Sequence, residues 1–250
     1  MSLTLGALVV LVTVVGATAQ RMAGLGFALL VSPLMTLMLG AHSGVLLVNV
    51  LSIVSSGLII PRVWRQVNWS LFRWLGACAV VGAVLGAWLA QLLSPDVMGV
   101  AVGAIVLAAL GLSALLRGDR FTIEARGPRV AAGFLSGLTN SLAGVGGPAV
   151  SAYAVLTRWP QLSFTATMQP YFVLTGAAAL SSKLALSAAE FPSAAWWFWL
   201  LLLAAILIGI AAGERLLRLV TPTQVRRFVV ILACAGALAS LVRGLVGLLG

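Results

Sequence analysis

Arg21 stands alone in a long apolar stretch, directly after Gln20 and just before a glycine-rich break, "AGLGFALLVSP", at residues 23–33. An arginine at membrane depth is expensive, and its planar fork of N–H donors suits a carboxylate or another oxyanion such as a sulfonate. A second break opens in the same way, "AGVGGPAVSAY", at residues 143–153, and follows Asn140 and Ser141. Breaks of this kind leave backbone N–H groups unpaired at the start of the returning limb, around Gly26–Ala28 and Gly146–Gly147, where they can donate to an anion. The candidate substrate-binding residues are therefore Gln20, Arg21, Gly24, Gly26, Asn140, Ser141, Gly144, Gly146 and Gly147. Two amides inside later apolar runs, Asn49 and Gln169, join them.

Each of these residues has a plainer reading. Arg21 would serve equally as a snorkelling anchor at an interface, and a buried amide often only bridges helices. Thr165 and Thr167 are expected to back-bond their own helix. His42, the single histidine, is either a proton-coupling group or a solvated helix end. Lys183 and Glu190 read as interfacial, Glu214 and Arg215 as a local ion pair, and Tyr171 as a packing or anchoring residue. No Ser–His, paired-acid or metal-ligand arrangement is present at the spacing catalysis needs, so neither an enzyme nor a bound cofactor is expected. Cys78 and Cys234 lie in apolar runs and read as packing residues.

The elements that position these groups follow from composition. Of 250 residues, 62% are hydrophobic and 8% charged; soluble domains carry about 25% charged residues, so the surrounding solvent must be lipid. The net charge of +10 comes from arginines clustered in short loops between apolar runs. This is the positive-inside pattern and not a nucleic-acid surface. Runs of about 20 apolar residues are needed to span, and they occur near 42–60, 70–93, 97–116, 163–183, 193–212 and 224–247. The aromatic cluster "WWFW" at 196–199 and Trp64, Trp69 and Trp74 read as interfacial belts.

The two halves match each other. With an offset of 120, Gly24 falls on Gly144, Gly26 on Gly146, Gln20 on Asn140 and Asn49 on Gln169. After a seven-residue slip, Gly82 falls on Gly209, Gly86 on Gly213 and Pro95 on Pro222. The loop "PRVWRQVNWSLFR" (61–73) is rich in arginine, while its counterpart "LSAAEFPSAA" has no Lys or Arg. The next pair of loops shows the reverse. A charge bias that changes sides between halves predicts inverted-topology repeats. The expected organisation is a first membrane repeat over 1–116, a cytoplasmic connecting loop over 117–129 and a second membrane repeat over 130–250. Inversion needs an odd number of crossings per half, so each broken region contributes zero or two. The second region, 130–157, divides into limbs of about 14 residues or ~21 Å each, short of a ~30 Å core, and so reads as a re-entrant hairpin. The glycine-rich tips are expected to meet near the midplane.

"GATAQRMAGLGFALLVSPLMTLMLGAHSGVLLVNVLS", followed by an Arg-containing loop, resembles the first half of the TauE/SafE family of sulfite and organosulfonate exporters. "AAGFLSGLTNSLAGVGGPAVSAYAVL", followed by "SFTATMQPYFVLTG", resembles its second half. Gly24, Gly26 and Pro33 match the first motif; Asn140, Gly144, Gly146, Gly147 and Pro148 match the second, and Asn49 fits a polar position in the following span. Ala28 stands where the first motif often has a further glycine, and Gln169 departs from the family pattern. The resemblance implies an all-helical, multi-pass cell-membrane transporter of two homologous halves. Its implied partners are the lipid bilayer and a small anion such as sulfite or a sulfonate, with self-association left open. The expected function is export of such anions through a midplane site. A channel or importer of the same fold is the alternative, with a non-transporting scaffold or intramembrane enzyme ranking lower.

Overall fold

The computed structural model describes residues 3–23, 27–115, 126–186, 195–217, 219 and 222–249. Among them the chain is helical, with no strand: α1 (Leu3–Ala23), α2 (Phe27–Leu39), α3 (Ala41–Val63), α4 (Trp69–Leu92), α5 (Pro95–Leu115), α6 (Arg126–Ala143), α7 (Gly147–Leu156), α8 (Gln161–Ala185), α9 (Trp196–Leu216) and α10 (Pro222–Leu249). Six helices have the length and apolarity to cross a membrane: α1, α3, α4, α5, α9 and α10. Five of the six spans expected from sequence appear among them. The sixth, α8, has 25 residues but carries Gln161, Ser163, Thr165, Thr167, Gln169 and Tyr171, and it buries Thr167, Gln169 and Tyr171 against protein. It belongs to the interior of the bundle, where polar groups find partners.

Both broken regions have unequal limbs, whereas the sequence predicts equal limbs for the second and leaves the first open between a re-entrant hairpin and a pair of spans. α1 has 21 residues, about 31 Å at 1.5 Å per residue, and is a full span; α2 has 13. In the second half α6 has 18 residues and α7 has 10, about 27 Å and 15 Å. α6 is longer than expected because the helix begins at Arg126, inside the stretch read as loop. The remainder of that loop, 117–125, lies outside the described residues.

Packing follows the glycines. On α4, Gly82 and Gly86 face the backbone of α6 at Phe134 and Leu138; in return Gly133 and Gly137 on α6 face α4 at Leu75 and Ala79. On α9, Gly209 and Gly213 face α1 at Val14, Thr18 and Arg21. Small residues spaced by four let backbones approach closely in lipid, where apolar burial gives no driving force between helices. Thus α6 lies parallel on α4 just as α1 lies parallel on α9. α5 instead runs antiparallel to α10, with Gly103 at Ala237 and Gly244 at Asp96. α3 runs antiparallel to α8, with Gly176 against Asn49 and Ile53. The pair α3–α8 occupies the middle of the bundle.

Two glycines hold backbone that other residues resist. Gly40 (φ 85°) turns the chain between α2 and α3, and Gly144 (φ 69°) forms the tip after α6. Both lie in the left-handed region, which costs an L-residue about 1–2 kcal/mol.

Candidate functional site: a cavity between two broken helices

The ends of α1, α3 and α9 converge on one side of the bundle. There Arg21 Nε donates to Glu214 Oε1 at 3.1 Å, with Arg62 Nε 3.9 Å from the same oxygen. α8 begins on this side, since the Asn68 backbone N–H donates to Thr167 Oγ1 at 2.8 Å. Glu214 therefore pairs with Arg21 across two helices and not with its chain neighbour Arg215. Adjacent residues on a helix point in different directions, whereas α1 and α9 are held in contact by Gly209 and Gly213.

A cavity of about 1050 Å³ opens at this arginine-rich end and reaches into the bundle. Val63, Arg158, Gln161 and Leu162 line its mouth; Arg21, Gln20 and Gln169 lie along it. Both returning limbs border it: Phe27–Leu29 at the start of α2 and Gly146–Pro148 at the start of α7. No side chain caps the first turn of α7, so its backbone N–H groups and the positive end of its dipole are directed at the cavity. The second tip packs on the other half's returning limb. Ala143 and Val145 cluster with Ala28 and Leu29, and Ser32 Oγ donates to the Ala143 carbonyl.

The polar interior is two amide pairs of the same design. Gln20 on α1 donates from Nε2 to Gln169 Oε1 on α8 at 3.2 Å; Asn140 on α6 donates from Nδ2 to Asn49 Oδ1 on α3 at 2.8 Å. Each acceptor residue then donates back along its own helix, Gln169 to Thr165 O at 3.1 Å and Asn49 to Val45 O at 3.0 Å. Ser55 Oγ donates to Gln20 Oε1 and Gln20 Nε2 to Ser56 Oγ, while Asn140 Nδ2 also reaches Thr175 O. Both pairs join a broken helix of one half to the third helix of the other, and all four amides are buried.

The candidates thus divide. Gln20, Arg21, Asn140, Gly146, Gly147 and Gln169 line the cavity, and Asn49 stands behind Asn140. Ser141 does not line it: its hydroxyl donates to Ala83 O at 2.7 Å in the α4–α6 seam. Gly144 meets Val48 and Ser32 instead. Gly24 and Gly26 lie outside the described residues. Ser55, Ser56, Thr175 and Arg158 were not singled out from sequence. Ser55 and Thr175 coincide under the 120-residue offset, which would have marked them; Arg158 falls opposite Met38 and carries no such signal. Tyr171 is core, fully buried among Leu75, Val150 and Met168. Lys183 is not interfacial but buried, and Glu190 lies outside the described residues. Trp196 and Trp197 are exposed, as a belt requires.

Polytopic helices around a largely apolar cavity, with a few polar groups and two helix breaks on its wall, are the architecture of a membrane transport protein. The profile of the sulfite exporter TauE/SafE family matches residues 8–248, nearly the whole chain, and the chain belongs to that family. No curated protein and no solved structure matches it. Membership makes it a multi-pass membrane protein of the sulfite-exporter transporter type.

Proposed function

We propose that the protein is an alternating-access carrier that exports small sulfur-containing or organic anions such as sulfite or sulfonates. Its substrate site would lie at the head of the cavity, between the two amide pairs and the start of α7. The observation that carries this reading is the crosswise pairing of Gln20 with Gln169 and Asn140 with Asn49 beside a cavity that exposed Arg158, Gln161 and Leu162 line at the arginine-rich end. The halves 1–116 and 130–250 are inferred to be inverted repeats. Supporting this, the corresponding helices α5 and α10, and α3 and α8, pack antiparallel, as a two-fold axis in the membrane plane demands. A rotation about the membrane normal would leave them parallel. The arginine-rich end reads as cytoplasmic, so the described state is open to the inside. With the interior negative, each exported negative charge gains about 2.3 kcal/mol per 100 mV, and no coupling ion is required.

Arg21 supplies charge at the side of the cavity, but it also neutralises Glu214, and the two roles are separable. Arg21→Gln is expected to raise the KM for sulfite about tenfold, in line with loss of a charge-assisted hydrogen bond. If Arg21 contacts the anion, Arg21→Gln/Glu214→Gln remains equally impaired. Recovery of wild-type KM in the double variant would reduce Arg21 to a partner of Glu214. The reading as a whole is tested by purified protein in a thermal-shift screen against sulfite, thiosulfate, sulfonates and carboxylates. Stabilisation by at least one of these anions is expected; no shift with any of them contradicts a small-anion site.

A further inference from the structure

Lys183 sits in the last turn of α8, where a lysine ordinarily extends its ammonium to water. Here its side chain is 1% exposed, and among the described residues Nζ has no hydrogen-bond partner. The antiparallel register of α3 and α8 identifies what faces it. Asn49 lies against Gly176, whose Cβ would stand 3.4 Å from the Asn49 carbonyl oxygen. Seven residues toward the start of α3 is His42, and seven toward the end of α8 is Lys183, within electrostatic range of it. His42 lies near the main chain at Leu93, just past the end of α4. The pair therefore lies at the end of the bundle opposite the cavity mouth.

Under the 120-residue offset, His42 corresponds to Leu162 and Lys183 to Val63. Val63 and Leu162 line the open mouth. Lys183 and His42 thus hold, on the closed side, the position that an apolar pair holds on the open side. A buried ionisable group in a membrane bundle is expensive and marks a functional position; at this position its charge becomes useful only when the α3–α8 seam meets water from that side.

We propose that Lys183, with His42 opposite it, forms an oxyanion subsite on the closed face, exposed when the pathway opens there and binding the anion as it leaves. This rests on the alternating-access reading. The ammonium is a compact point charge suited to a sulfite or sulfonate oxygen, and the imidazole supplies a neighbouring hydrogen bond. The two vestibules then differ in chemistry, with guanidinium groups at one mouth and an ammonium at the other.

The test uses proteoliposomes in which the full chain has one orientation, with labelled sulfite presented to each face in turn. Lys183→Met is expected to raise KM about tenfold at the face opposite the arginine-rich loops and leave KM at the arginine-rich face unchanged, while Lys183→Arg retains near-wild-type KM at both. Equal shifts at both faces, or none at either, overturn the subsite. The unfolding temperature of Lys183→Met should be unchanged or raised, because an unpartnered buried amine is removed. A clear fall would mean that the ammonium serves a structural partner, and would also overturn it. If the unmodified protein shows no saturable flux, the transport reading itself fails and the subsite falls with it.

Discussion

Asn140→Leu is expected to lower saturable sulfite flux by ten- to a hundredfold while the protein still inserts and folds. Leucine is close to asparagine in size, so the cavity keeps its shape. Two hydrogen bonds disappear, to Asn49 Oδ1 and to Thr175 O, and buried acceptors lose their donor. Interhelical hydrogen bonds in membranes are worth about 0.6–2 kcal/mol each; with each in the lower half of that range, their joint loss corresponds to about one to two powers of ten. The damage falls where α6 meets α3 and α8, which line the cavity through Ser52 and Ile59 on α3 and Gln169 on α8. Gln20→Leu is the matching change in the first half and should behave alike, since Gln20 bridges Ser55, Ser56 and Gln169. Flux in proteoliposomes, normalised to protein and read beside the unfolding temperature, checks both. Wild-type flux in either variant would make the amide pairs simple helix bridges.

Gly137→Leu should be the most destabilising single change in the bundle. A Cβ at Gly137 would collide with the Ala79 carbonyl oxygen, stand 2.7 Å from the Ala79 carbonyl carbon and 2.8 Å from the Ala83 backbone nitrogen. All three nearest atoms are main chain, so no side chain can rotate away and α4 must part from α6. Overpacking typically costs about 1–3 kcal/mol, and leucine here should reach at least the upper end, roughly 6–12 °C in unfolding temperature for a chain of this size. Gly111→Ala is the control: nothing lies within 4 Å of a Cβ there, and the gain in helix propensity should leave stability unchanged or raise it by about 0.5–1 kcal/mol. Thermal unfolding in detergent separates the two. Equal behaviour of the two variants would contradict the close α4–α6 seam.

Much of this arrangement could be read from the chain. Long apolar runs set the spans, because a helix in lipid must satisfy its own backbone. The 120-residue offset aligned Gln20 with Asn140 and Asn49 with Gln169, the four amides of the interior. The offset did not say that each would pair across the halves, because partners 91 and 149 residues apart meet only once α3 and α8 are packed. Glu214 illustrates the same limit: its partner Arg21 is 193 residues away, and proximity in sequence suggested Arg215 instead. Lys183 shows another. A position near a helix end does not tell which way the side chain faces, and the last turn of α8 faces α3. The limbs of the second region are unequal because the polar stretch Arg126–Arg129, loop-like in sequence, forms the first turn of α6.

The central claim, a carrier with one anion site that is exposed to each side in turn, is tested most directly by counterflow. Proteoliposomes loaded with unlabelled sulfite and diluted into trace labelled sulfite should accumulate label transiently above equilibrium, with saturable initial rates. Label that only equilibrates, at a rate linear in sulfite concentration and indifferent to sulfite on the far side, would contradict a carrier and favour a channel.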